Sequence, residues 1–351
     1  MTGLTRSKKS KTTSLDIAYR AGVSQATVSR VLSGSNLVSP ETRRRVEDAV
    51  RELNYKVDRH ASSLRTQRAS TLALLLFEDP TSDASGINPF FLAILGSVTR
   101  AAARHGQDLL VSFQQFSDDW HADYEDSMKA DGLILLGYGD YVTHRDKLEL
   151  LVAQDTHFVR WGAVLPDQPG ITIGCDNLAG GRLAGEHLVS IGRRRVAFLG
   201  DASEHAPEFQ ARYAGFHAAM AVAGTPPEPA LQVDAESTEE SGYHAAQILL
   251  ARGEDFDGVF AACDLIALGA MRALREHGLR MPEDVAVVGF DGILIAAYAS
   301  PPLTTVAQDT AGAGEALVSA LMAQIRGDAF PSSMQAPKLI VRASTTGPAQ
   351  S

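Results

Sequence analysis

Two spacings of apolar residues divide the chain. Beyond about residue 70, short unbroken apolar runs recur: "TLALLLF" (71–77), "DLLVSF" (108–113), "GLILLGY" (132–138), "RVAFLG" (195–200), "GVFAAC" (258–263) and "DVAVVGF" (284–290). Stretches of helical periodicity separate them. Continuous apolar strands alternating with helices predict parallel sheets covered on both faces. The pattern occurs twice, before and after about Cys175. It predicts two doubly wound subdomains with a cleft between them.

Before residue 70 the spacing is helical only. Ser14 or Thr13 is placed to cap a helix over 15–21, with Leu15, Ala18 and Tyr19 as its apolar stripe. Gly22 breaks it. Ser24 is placed to cap a second helix over 25–32, where Val28, Val31 and Leu32 share one face and Gln25, Ala26, Ser29 and Arg30 another. "SPET" opens a third, with Ser39 at the N-cap, Pro40 at its first position, and Val46, Ala49, Val50 and Leu53 at helical spacing. Two short helices joined at a glycine, then a third, predict a helix-turn-helix head.

Charge sharpens this division. The 351 residues carry a formal net charge of -10, yet residues 1–68 hold 14 Lys+Arg against 6 Asp+Glu, a net of +8, leaving 18 against 36, a net of -18, for the rest. A basic head on an acidic body suits a head that meets a polyanion. The second helix contains no Asp, Glu or Lys. Its Ser and Thr hydroxyls suit phosphates, while Gln and Arg reach base edges. The 2 cysteines, Cys175 and Cys263, imply no disulfide framework. The basic N-terminus lacks an apolar secretory segment and no apolar run reaches membrane-spanning length, so a cytoplasmic protein without membrane contact is expected.

The stretch "SLDIAYRAGVSQATVSRVLSGSNLVSPETRRRVEDAVRELNYKVDRHASSLRT" resembles the N-terminus of lactose-repressor-type (LacI/GalR-type) transcriptional regulators, through its "AGVSxxTVSRVL" core and trailing "ASSLRT". The resemblance implies that Gln25, Ala26 and Arg30 face bases and that Ser24, Thr27 and Ser29 lie near phosphates. It further implies a hinge helix over about 58–66, with Leu64 as an apolar wedge in the minor groove. Val57 stands where the family usually has proline, and Ser62 where it usually has a larger polar residue. The expected domains are 1–57 for DNA binding, 58–69 for hinge and linker, and 70–351 for effector binding and dimerisation. The implied architecture is α/β: a small all-α head and a periplasmic-binding-protein-like body crossed three times by the chain, near 173–176, 304–308 and 331–337.

Ligands of such folds sit at the carboxyl ends of strands. In the resemblance Phe90 and Phe91 of "NPFF" reach the effector; core packing is the alternative for both rings. Arg160 and Trp161 follow the apolar turn "HFV". Arg160 replaces the family's usual Asp and favours an anionic or hydroxyl-rich effector, with a surface or ion-paired position as the alternative. Arg212 opens the signature Arg-x-x-Gly-aromatic. "CDLIALGAM" matches the family's "NDxxAxGxM" with Cys263 for Asn, which leaves Asp264 as the polar group of the cleft or a helix N-cap. Asp291 follows the strand "VVGF", with Gly292 for the usual second Asp, and Gln308 lies near the cleft. The glycines of "GGRLAG" (180–185) are read as helix-packing residues, not a phosphate cradle.

No phosphate-loop, nucleophile-elbow or metal-ligand spacing occurs, so neither catalysis nor a cofactor or metal is expected. The implied function is an effector-switched repressor, a homodimer on a pseudo-palindromic operator in duplex DNA. A carbohydrate is the expected effector and a purine or nucleoside the alternative. A sugar-binding transport receptor would carry a signal peptide and no basic head. The terminal "KLIVRASTTGPAQS" begins with a strand-like Leu339–Val341 and offers no leucine heptads, so a dimer that does not proceed to a tetramer is expected.

Overall fold

The computed structural model describes residues 12–32, 35, 37–55, 68–77, 87–137 and 140–346. They form two compact units, divided between Ala69 and Ser70.

The first unit is three helices: α1 (Ser14–Ala21), α2 (Gln25–Leu32) and α3 (Pro40–Glu52). Thr13 and Asp16 form a reciprocal capping box at the start of α1, and Gly22 ends it at φ 64°. Ser24 caps α2 by accepting from Thr27 N at 3.1 Å. Ser39 caps α3, with Pro40 in its first turn. The core is Ile17, Ala18, Ala21, Val28, Val31, Val46 and Ala49. The expected stripe of α1 is therefore corrected: Leu15 and Tyr19 are 63% and 92% exposed, and Ile17 takes the buried place. In an eight-residue helix, a rotation of one position satisfies the same spacing rule.

The second unit holds two six-stranded sheets. Its elements begin with β1 (Thr71–Leu76), α4 (Pro89–Arg104), β2 (Asp108–Phe113), β3 (Leu133–Leu136), α5 (Tyr141–Ala153), β4 (Phe158–Trp161) and β5 (Ile171–Cys175). They continue with α6 (Asn177–Ser190), β6 (Val196–Leu199), α7 (Pro207–Val222), β7 (Gln232–Val233), α8 (Glu239–Ala251), β8 (Gly258–Ala261), α9 (Asp264–Glu276) and β9 (Ala286–Asp291). The last are β10 (Thr304–Ala307), α10 (Thr310–Arg326), β11 (Ser333–Gln335), β12 (Lys338–Ile340) and α11 (Ala343–Thr346).

Strand order is β11-β5-β4-β3-β1-β2 in the first subdomain and β12-β10-β9-β8-β6-β7 in the second. All pairings are parallel except β12 against β10. The chain crosses between subdomains after β5, after β10 and between β11 and β12, as the family resemblance implies. The second crossing returns α10 to the first subdomain, where Ser97 Oγ of α4 donates to Ala311 O at 2.8 Å. The strands β3, β6 and β8 are buried along their whole length and β1 from Leu72 onward, as sheets covered on both faces require.

The helix pairs of the second subdomain pack at close range through glycine. A Cβ on Gly181 of α6 would lie 1.9 Å from Arg212 O, and one on Gly215 of α7 2.0 Å from Leu178 O. Gly242 of α8 and Gly269 of α9 repeat the arrangement, at 2.2 Å from Ile266 O and 1.9 Å from Glu239 O. The glycines of "GGRLAG" are thus packing residues, as expected.

Candidate functional site: a polar recognition helix and an aromatic cleft

In the head, Ser24, Gln25, Ala26 and Arg30 are exposed on α2, and Thr27 and Ser29 are half-buried beside them. Val28 and Val31 anchor the opposite face in the core. Ser24 Oγ lies 2.9 Å from Thr27 Oγ1, and Gln25 Nε2 donates to Ser14 Oγ at 2.8 Å, so the start of α2 is tied to α1. Arg45 of α3 donates to Gly22 O at 3.2 Å, fixing the turn. Leu64 and the expected hinge lie outside the described residues, apart from residues 68 and 69.

In the body, a cleft of about 880 Å³ separates the subdomains. It opens at the carboxyl ends of the strands: Phe77 follows β1, Gly137 follows β3, Trp161 ends β4, Asp201 follows β6, Asp291 ends β9 and Gln308 follows β10. Phe90 and Phe91 enter from the first turn of α4, where Asn88 caps the helix by accepting from Phe90 N at 2.9 Å. The ring centroid of Phe90 lies 5.5 Å from that of Phe91 and 6.1 Å from that of Trp161. Phe90 is buried and Phe91 half-buried, so both rings pack and both line the cleft.

The floor is a buried polar chain. Arg212 of α7 donates from Nε to Asn177 Oδ1 at 2.9 Å and from a terminal nitrogen to Ala262 O at 2.6 Å. That nitrogen is 3.5 Å from Asp291 Oδ1, and the guanidinium lies 3.8 Å from the centroid of the Phe290 ring. Gln308 Nε2 donates to the same Asp291 oxygen at 2.8 Å. Burial pushes the Asp291 carboxyl up to about 6, with Arg212 and Gln308 acting in the opposite direction. Burial also pushes the thiol of Cys175, in the cleft wall, up to about 12, which leaves it no thiolate character near neutrality.

Among the described residues, three hydrogen bonds cross the cleft. His205 Nδ1 lies 2.8 Å from Asp140 Oδ2, Tyr141 N donates to His205 O at 3.1 Å, and Ala163 N donates to Glu208 Oε1 at 2.8 Å.

Two expected cleft residues are placed elsewhere. Arg160 is buried on β4 but does not line the cleft. Alternation along the strand sends Trp161 to the cleft and Arg160 to the other face. There Arg160 Nε donates to Thr172 Oγ1 at 2.8 Å, and the guanidinium lies 5.4 Å from the Tyr141 ring centroid. Asp264 is fully buried beneath the cleft wall, not in its lining. It is not the cap of α9 either: Cys263 holds that position without a side-chain cap, and Asp264 Oδ2 accepts from Ile293 N at 2.8 Å.

Comparison with known proteins matches residues 13–58 to the model of bacterial regulatory proteins of the lacI family and residues 186–345 to a periplasmic binding protein-like domain. The chain is 34% identical over 318 residues to the HTH-type transcriptional regulator CelR of Thermobifida fusca, spanning 89% of this chain and 91% of that one. The chain belongs to the LacI family. Among other LacI-family relatives, the HTH-type transcriptional repressor PurR of Mannheimia succiniciproducens is 30% identical over 335 residues, 94% of this chain and 97% of its own. A solved CelR–cellobiose complex superposes with a TM-score of 0.70 at 32% identity, covering 95% of this chain and all of that one. The lac repressor dimer bound to operator and the anti-inducer ONPF gives 0.77 at 28% identity, covering 95% and 99%. The chain is accordingly a DNA-binding transcriptional regulator, not an enzyme.

Within this LacI-family cleft, Asn177, His205, Glu208 and Phe209 are lining residues that sequence reasoning passed over. Asn177 lies in "DNLAGG", read only for its glycines. Glu208 and Phe209 precede the Arg-x-x-Gly-aromatic signature by one helical turn and carry no signature of their own.

Proposed function

We propose that this regulator is a cytoplasmic homodimeric repressor on a pseudo-palindromic operator, switched by a neutral carbohydrate of about disaccharide size. On α2, Gln25, Ala26 and Arg30 are assigned to base edges and Ser24, Thr27 and Ser29 to phosphates. The exposure of Ser24, Gln25, Ala26 and Arg30, with Thr27 and Ser29 half-buried beside them on a helix free of acidic residues, supports this reading. Phe90, Phe91, Trp161, Arg212 and Asp291 are assigned to the effector.

The observation that carries the effector class is the charge of the cleft lining. It contains the carboxylates of Asp140, Asp201, Glu208, Glu236, Glu239 and Asp291, while Arg212 and His205 each face one of them. An anionic sugar phosphate or sugar acid meets net repulsion there. Flat aromatic faces beside paired donors and acceptors suit the apolar faces and hydroxyls of a saccharide. Arg160, the cation that would favour an anionic effector, lies outside the cleft lining. Cellobiose in the related CelR complex supports the same class.

For the dimer, the body presents an apolar groove. Pro89, Phe90 and Ala93 of α4 line it with Ile293, Leu294, Ile295 and Tyr298. Leu294, Ile295 and Tyr298 are 78%, 54% and 79% exposed. A contiguous apolar face of this kind marks an association surface, and the lac repressor is a dimer on its operator.

Thermal-shift measurement with cellobiose, glucose, glucose 6-phosphate and hypoxanthine tests the effector class. Cellobiose is expected to raise the melting temperature most. Stabilisation by the phosphate or the purine alone would overturn the reading.

A further inference from the structure

We propose that Asp264, sealed beneath the cleft, is a positioning residue that holds the strained exit of β9 and thereby aims the Asp291 carboxylate at the effector. The inference rests on the reading of Asp291 as an effector contact.

Asp291 adopts φ 107° and Gly292 φ 74°. Positive φ suits Gly292, but at Asp291 it sets Cβ against the backbone. Such a conformation persists only where its surroundings over-determine it. Three hydrogen bonds do so here. Gln308 N donates to Asp291 O at 3.3 Å, Gly292 N to Thr305 Oγ1 at 3.2 Å, and Ile293 N to Asp264 Oδ2 at 2.8 Å. The first two come from β10 and its exit. The third, the shortest, is the one from α9. It ties the bend to a helix start on the other side of β9 and stops the chain from relaxing away from β10.

The strand is shaped to admit this carboxylate. A Cβ on Gly289 would lie 2.3 Å from Asp264 Oδ1, so any larger residue at 289 would expel it. Asp264 reaches no cleft surface, so it acts through the bend alone. Around it stand Cys263 beside it on the chain, Asp291 of β9, Thr305 of β10, and Arg212 and Glu208 of α7, which bear on the same carboxylate pair. What Asp264 supplies to the bend is an acceptor in a fixed place, a role an amide oxygen also fills.

Hydrogen–deuterium exchange on the full-length chain tests this without any ligand, comparing wild type with Asp264→Asn and Asp264→Ala over residues 290–294. In the Ala variant exchange of this segment is expected to rise by about tenfold, the loss of one hydrogen bond. In the Asn variant it is expected to stay within about threefold of wild type, since the amide oxygen still accepts. Calorimetry with cellobiose should follow the same order, the Ala variant losing about tenfold in affinity and the Asn variant retaining it. Unchanged exchange in the Ala variant, or equal acceleration in both, would overturn the proposal. If the Ala variant does not fold, the Asn variant decides alone: protection retained supports the role, and protection lost refutes it. A wild type that fails to bind cellobiose would count against the sugar reading, while the exchange comparison would still judge Asp264.

Discussion

Arg212 carries the cleft floor, because it is the shared partner of Asn177, Ala262 and Asp291. Arg212→Ala would leave the Asp291 carboxylate buried without its counter-charge. The expected cost is about 3–5 kcal/mol of stability, with effector response lost. A denaturant midpoint close to wild type would show that water reaches Asp291. The two buried carboxyls also set a pH dependence. Asp264 is pushed up to about 8 by burial, with Asp291 adding to the effect, and Asp291 is pushed up to about 6 by burial. A raised acid holds its proton longer in the folded chain, so stability is lost as pH rises from about 4 towards about 8. Asp264→Asn removes one such group and should gain in melting temperature, relative to wild type, between pH 5 and 8. Parallel curves would contradict the assignment. At this scale the signatures around Arg212 and Asp291 lead to two residues that line the cleft. Arg160 and Asp264 lie outside its lining, because a side chain's direction depends on strand phase and on the space left by Gly289, which one chain position does not show.

At the scale of elements, the glycine-mediated helix pairs fix where Arg212 stands. Gly215 lies one residue short of a full turn beyond it and presses on Leu178 O of α6. Gly215→Ala should separate α6 from α7, costing about 1–3 kcal/mol and displacing Arg212. Gly96→Ala is the opposite case. Its Cβ would meet only Arg100 at 3.8 Å, and a glycine inside α4 is the poorer helix former, so about 0.5–1 kcal/mol of gain is expected. Chemical denaturation of both variants checks the contrast. The cross-cleft bond between Asp140 and His205 adds a proton-dependent strap. The hydrogen bond and charge of Asp140 raise the His205 pKa, helped by Glu204 and Asp201. The attraction is present below the ordinary histidine value and is lost as pH rises through the raised one. Asp140→Asn should therefore speed cellobiose release at pH 6 and match wild type at pH 9, read from Trp161 emission. Equal release at pH 6 would dismiss the strap. The long apolar runs made most central strands legible. β4 was read as a turn because Arg160 interrupts it, and β7 and β11 are too short to show a period.

For the whole molecule, the basic head and acidic body were legible from charge alone, whereas the three crossings were implied by the family resemblance. The assembly surface was not legible, since the apolar groove joins α4 to the segment after β9, about 200 residues apart in sequence. Leu294 and Tyr298 are exposed because the short turn after β9 buries only Ala296 inward, while their own side chains find no cover among the described residues. A monomer would leave this surface in water at roughly 25 cal/mol for each Å² of apolar area. In the proposed dimer, pairing two copies would remove it on both sides and bring two recognition helices to one operator, whose successive major grooves lie roughly one helical turn apart. A preformed pair would bind its second half-site at high effective concentration. Ile295→Asp with Tyr298→Asp places charge on exposed side chains of the groove that do not themselves line the cleft. The variant is expected to run as a single chain in light scattering at micromolar concentration, where wild type runs as two. It should keep cellobiose binding and lose operator affinity by at least about tenfold, the loss of that linkage. A variant that remains dimeric with unchanged operator affinity would place the interface on another face of the body.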